Sequence, residues 1–133
     1  MTAAYGFGTS LPTSYEDAIA RVREVLKAEG FGVLTEIDVK KTLKEKIDVD
    51  SDPYIILGAC NPHLAHRALT ADTNIGLLLP CNVVVRAEGS GSRVEFVDPI
   101  AMMGVVQNEP LQQVAIEARE KLQRALAALS ATS

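Results

Sequence analysis

The sequence predicts an α+β protein, a single domain with a mostly antiparallel sheet and helices packed on it. Three observations predict it. Two long segments, Thr13–Glu29 and Glu109–Leu129, carry apolar residues at helical spacing. Between them stand short apolar runs punctuated by glycine, proline and asparagine, the pattern of strands and turns. No repeat or linker interrupts the 133 residues, so the chain reads as one domain over 1–133, covered by its two long helices.

Tyr5-Gly6-Phe7-Gly8 alternates aromatic and glycine, as in a short strand with one packed face. Thr13 then serves as a helix cap, with Glu16 reaching back three residues later in a capping box. Tyr15, Ala18, Ile19, Val22, Val25 and Leu26 form the helix's apolar stripe, and Gly30 ends it in a left-handed conformation. Gly32–Val39 reads as a strand with Val33, Thr35, Ile37 and Val39 on one face. Lys40–Ile47 is a charged helix touching the body through Leu43 and Ile47, and Asp48–Pro53 is an acidic loop.

Tyr54–Ala59 is apolar at alternate and intervening positions, as expected of a central strand covered on both sides. Asn61 as cap and Pro62 at the first helical position open a short helix to about Ala71. Ile75–Leu79 reads as another strand, ended by Pro80, so that strand, helix and strand form a βαβ unit. Cys81–Glu88 and Ser92–Asp98 flank Gly89-Ser90-Gly91 as a hairpin, with Val83, Val85, Val94 and Phe96 inward. Pro99–Gln107 carries no clear pattern. The last helix has the stripe Leu111, Val114, Ala115, Ala118, Leu122, Ala125, Leu126 and Leu129.

Composition narrows the function. A net charge of −4 argues against a nucleic-acid partner, which needs a basic face. Lys40, Lys41, Lys44 and Lys46 cluster, but Asp38, Glu45, Asp48 and Asp50 surround them, as on a solvated helical face. No segment approaches the roughly 18–20 apolar residues that span a bilayer, so no membrane partner is expected. Without a basic, apolar leader the expected location is cytoplasmic, where thiols are kept reduced. Tryptophan is absent and aromatics make up only 5%, which argues against stacking platforms for bases or sugars.

Chemistry concentrates at two cysteines. Cys60 and Cys81 each follow an apolar run and stand beside asparagine and proline, at expected strand ends. In a βαβ unit, a helix of about ten residues returns roughly 15 Å. Six or seven strand residues climb roughly 20 Å, bringing Cys81 back to the height of Cys60 if the strands are neighbours. The expected ligand-binding site is therefore a cleft with Cys60, Asn61, Cys81 and Asn82, and His63 at its rim. Cys60 precedes a helix N-terminus, whose dipole would lower its pKa and make it a reactive thiolate that Cys81 could resolve. The opposing reading is that both are small buried residues.

His63 and His66 share one helix face, and with Cys60 and Cys81 they make a candidate set for zinc or another soft metal ion. Met102-Met103 could add sulfur for copper, although adjacent methionines commonly fill a core. Glu36 and Asp38 form a candidate carboxylate pair. The glycine clusters do not join a strand to a helix in a phosphate-binding pattern, and no serine stands in a nucleophile elbow.

Gly30-Phe31-Gly32-Val33-Leu34-Thr35-Glu36-Ile37, Leu57-Gly58-Ala59-Cys60-Asn61-Pro62, Leu78-Leu79-Pro80-Cys81-Asn82-Val83 and Asp98-Pro99 resemble, in that order, motifs of the bacterial and archaeal family of domain of unknown function 302. The resemblance spans roughly residues 5 to 105. It implies a fold similar to the TATA-binding-protein-like arrangement and a homodimer, but no activity. Ala115, Ala118, Ala125 and Ala128 offer a close-approach surface for such a dimer. Three functions are compatible with these residues: a homodimeric binding module for a small ligand or metal at the two-cysteine cleft, a thiol-based redox protein or enzyme, and a structural or interaction protein with buried cysteines.

Overall fold

A single helix-covered sheet organises the chain, which the computed structural model describes over residues 3–131. The ends of the expected 1–133 domain lie outside the described residues. Five strands, β1 (Gly6–Leu11), β2 (Gly32–Asp38), β3 (Tyr54–Cys60), β4 (Cys81–Glu88) and β5 (Gly91–Val97), form one sheet in the order β1-β5-β4-β3-β2. Every neighbouring pair is antiparallel. The helices are α1 (Tyr15–Ala28), α2 (Val39–Ile47), α3 (Pro62–Ala71), the short α4 (Pro99–Met103) and α5 (Glu109–Ala131). This is the α+β domain that the patterning predicts.

The main core lies between one face of the sheet and helices α1 and α5. Strand alternation sends Leu57, Val83, Val85, Val94 and Phe96 inward, all essentially without solvent contact. Ala18, Val22 and Leu26 of α1 and Leu122, Ala125 and Leu129 of α5 meet them from above. A second apolar cluster joins α3, α4 and the first half of α5 through Leu64, Ala68, Met103, Leu111 and Val114. Met103, with half-buried Met102 beside it, therefore fills core space. Ala115, Ala118 and Ala125 are buried in these cores, so they are not available as a dimer contact.

Several local expectations change. Ser14, not Thr13, caps α1, its Oγ accepting from the Asp17 N–H at 3.2 Å. Gly30 does adopt a left-handed φ of 83° after α1, where an L-side chain is strained. A register shift between Val33 and Thr35 breaks the expected alternation of β2. Val33 now stands opposite Ala59 on the core face, while Thr35 and Ile37 go to the other side. Val39 belongs to α2, and Ile47 is 65% exposed instead of anchoring that helix. Strand β3 is central but covered on one face only, so Tyr54 and Ile56 remain half-buried on the other.

The largest correction concerns Ile75–Leu79. It is not a strand but part of a 3-10 helix, Thr73–Leu78, whose N-terminus Asp72 caps by accepting from the Asn74 N–H at 2.9 Å. The apolar run follows a period of three: Ile75 is buried in the second cluster, Leu78 is half-buried, and Leu77 is 88% exposed. No βαβ unit exists among the described residues, and β3 and β4 are antiparallel neighbours. A cis Leu79–Pro80 peptide bond leads into β4.

Candidate functional site

The ends of β2, β3 and β4 at Gly32, Cys60 and Cys81 meet at one end of the sheet. Helix α3 leaves from there because Asn61 and Pro62 stop the strand and start a helix. The Asn61 Oδ1 accepts from the Leu64 N–H at 3.2 Å, and Pro62 occupies the first helical turn. The Asn61 Nδ2 donates to the Glu29 carbonyl at 3.4 Å, tying the start of α3 to the end of α1. Gly30 keeps this approach open, since a Cβ there would stand 3.0 Å from Asn61 Nδ2.

Between this sheet end, α3 and α5 lies a cavity of 310 Å³. Ala65 and Ala68 of α3 and Ala118 of α5 present only methyl groups to it, leaving space that larger side chains would fill. Phe31, Leu64 and Met103 supply apolar wall, and Leu34 and Leu69 stand exposed at its edge. Both Cys60 and Cys81 line it, as does Asn61.

The thiols arrive by a different route from the expected crossover. In the antiparallel β3–β4 ladder Ala59, not Cys60, stands opposite Cys81. Successive side chains leave a strand on opposite sides, so the two thiols are not a cross-strand pair. The cavity reaches both because it wraps the end of the sheet, where Thr35 and Pro80 line its far side. Both cysteines are free, and no disulfide joins them.

Burial decides their chemistry. It pushes the Cys81 thiol up to about 11, with a smaller contribution from the charge of Cys60. Burial also raises the Cys60 thiol. The lowering of the Cys60 pKa expected from the helix N-terminus is not found: the thiol is pushed up, and burial is the cause.

The remaining expected residues disperse. Asn82 is exposed on the uncovered face of the sheet, beside Tyr54, Val84 and Arg86, because β4 alternation turns it away from Cys81. His63 is exposed, and His66 lies in a groove between α3 and α5 with Arg67 and Gln113. The set Cys60, His63, His66 and Cys81 does not assemble, and no group of three or more metal-ligating side chains forms among the described residues. Glu36 pairs with Arg23, and Asp38 caps α2 by accepting from the Lys41 N–H at 3.0 Å, so this carboxylate pair is structural. Sequence reasoning missed the alanine wall. Its signal was the alanine pair at positions 65 and 68, three apart on the face of α3 that also carries Leu64.

Two comparisons bear on this geometry. A family model described as "Domain of unknown function DUF302" matches residues 7–129. A crystal structure of an uncharacterized conserved DUF302 protein from Bacillus stearothermophilus is similar, with a TM-score of 0.86 and 32% sequence identity. The match covers 94% of this chain and 98% of that one. Among curated proteins, none matches the chain.

Proposed function

The chain belongs to the DUF302 family, and on that premise we propose that it is a binding module holding a small ligand in the cavity between the sheet end, α3 and α5. One observation carries the reading. A 310 Å³ apolar cavity stays open beside two otherwise filled cores, at the low end of the roughly 300–1,000 Å³ found for small-molecule sites. Three small side chains, Ala65, Ala68 and Ala118, keep it open.

The thiol-based redox alternative loses support, because a catalytic cysteine needs thiolate near neutral pH and burial opposes that at both positions. Assembly as a homodimer is part of the proposal. It is supported by the apolar side chains left at the surface, Leu34 at 69% exposure and Leu77 at 88%. No helix among the described residues is long and apolar enough to cross a membrane. A cytoplasmic location is part of the proposal, and the acidic charge of −4 weighs against a nucleic-acid partner.

The test is titration with N-phenyl-1-naphthylamine, a dye that brightens in apolar surroundings. Saturable binding is expected, and dye at a hundred times Kd should stabilise the fold by about 2.7 kcal/mol. Ala65→Trp, which fills the cavity from a half-buried position, should abolish both effects. A wild-type protein that neither brightens the dye nor gains thermal stability leaves the structural reading in its place.

A further inference from the structure

Resting on the ligand-binding reading above, we propose that the cavity's ligand is electrically neutral, and that an anion of the same shape is excluded. None of the described residues that line the cavity carries a charge. The arginines that adjoin cavity residues in the chain are already paired: Arg67, next to Ala68, with Glu117, and Arg119, next to Ala118, with Asp98.

The start of α3 is the one fixed positive end that borders the cavity, and it is largely closed. Pro62 has no N–H to offer. The Leu64 N–H goes to Asn61 Oδ1, and the Ala65 N–H goes to the Asn61 carbonyl at 2.8 Å. The Asn61 Nδ2 is directed at the Glu29 carbonyl. Both thiols stay protonated at neutral pH, which removes repulsion but offers an anion no countercharge. A carboxylate or sulfonate drawn in would lose its water and gain no cation, whereas a neutral apolar ligand loses only unfavourable hydration.

Size narrows the class further. An apolar cavity of about 150 Å³ accepts benzene. The 310 Å³ here therefore accommodates two rings or a chain of about ten carbons. The chemistry fits an uncharged lipid-like or polycyclic molecule, not a fatty-acid anion, a nucleotide or a phosphorylated metabolite.

The experiment uses two dyes with the same ring system. N-phenyl-1-naphthylamine is neutral, and 8-anilinonaphthalene-1-sulfonate carries one negative charge. Binding is counted only where Ala65→Trp removes it, with Leu69→Trp at the exposed edge as a second block should the first variant fail to fold. The neutral dye should bind at least tenfold more tightly than the sulfonate. Leu34→Lys, which adds a cation at an exposed position on the edge, should narrow that ratio at least threefold. If the sulfonate binds within threefold of the neutral dye and both are blocked, neutrality is wrong while the ligand site stands. If neither dye gives blockable binding, the ligand site itself fails and this inference with it.

Discussion

Ala59 stands directly opposite Cys81 in the β3–β4 ladder, which leaves Cys60 one residue past the pairing and off to the other side of the sheet. A disulfide needs Cα atoms within about 7 Å and Cβ vectors that converge. Alternation makes the two Cβ vectors diverge here. Native protein treated with diamide should therefore keep the mass of the dithiol form. Protein oxidised during refolding from denaturant is free to form the bridge. A native protein that rapidly loses two mass units, and regains them with reductant, contradicts the register.

Cys81 makes stability fall in alkali. Its pKa rises from 9.0 to about 11 on folding because burial penalises the thiolate. Between those values the unfolded chain has released a proton that the folded chain retains, so ∂ΔG/∂pH is negative. The stability is fully present below about pH 9 and is lost as pH rises through about 11, by roughly 2–3 kcal/mol in all. Urea denaturation of wild type and Cys81→Ala across pH 8 to 11 should give curves that converge upward in pH. Parallel curves would mean that Cys81 is not desolvated.

The site was partly legible in the sequence, and the parts that were not have definite causes. Capping of α3 by Asn61 and Pro62, the turn at Gly30 and the inward set Val83, Val85, Val94 and Phe96 follow from local chemistry and period-two alternation, which sequence displays directly. The pairing of Asn82 with Cys81 failed for the same alternation: neighbours in sequence on a strand are strangers in space. Ile75–Leu79 misled because a five-residue apolar run fits a strand or a turn of helix equally well. Tertiary burial decides between them, and Ile75 is buried in the second cluster with Leu64 and Ala68 of α3. The cavity was hidden because it is defined by what Ala65, Ala68 and Ala118 lack, and those residues meet only after folding.

That 3-10 segment separates two neighbours sharply. Ile75→Asp places an unpaired charge in the second cluster and should cost about 3–5 kcal/mol or prevent folding. Leu77→Asp, two residues on, should change stability by no more than about 0.5 kcal/mol. In a strand these positions would share a face and respond alike. Chemical denaturation of both variants decides it, and equal losses would restore the strand.

Asn61 ties the start of α3 to the end of α1 through one side-chain amide, so its replacements should grade. Asn61→Ala removes the cap of α3 and the bond to Glu29, at a cost of about 1–2 kcal/mol. Asn61→Ser keeps an oxygen for the Leu64 N–H but has no reach to the Glu29 carbonyl, and should recover part of that loss. The measurement is the denaturation midpoint at constant m-value. Equal losses for Ala and Ser would show that the cap contributes nothing.

Gly58 is the point where β2, β3 and the Pro80 turn crowd together. A Cβ on Gly58 would collide with Thr35 Oγ1 and stand 2.8 Å from Pro80 Cγ. Thr35 is exposed and can turn its hydroxyl away, whereas the proline ring has no rotamer to escape into. Gly58→Ala should therefore destabilise by about 1–3 kcal/mol, the usual cost of overpacking. Thr35→Ala alone should stay within about 0.5 kcal/mol, as surface changes do. In the double variant only the Thr35 share of the strain is relieved, so part of the loss returns, with a coupling of at least about 0.5 kcal/mol. Strict additivity would mean that Thr35 does not press on Gly58. Full recovery would mean that Pro80 does not. The second result would displace the Pro80 turn from the cavity wall and reopen the path of the chain into Cys81.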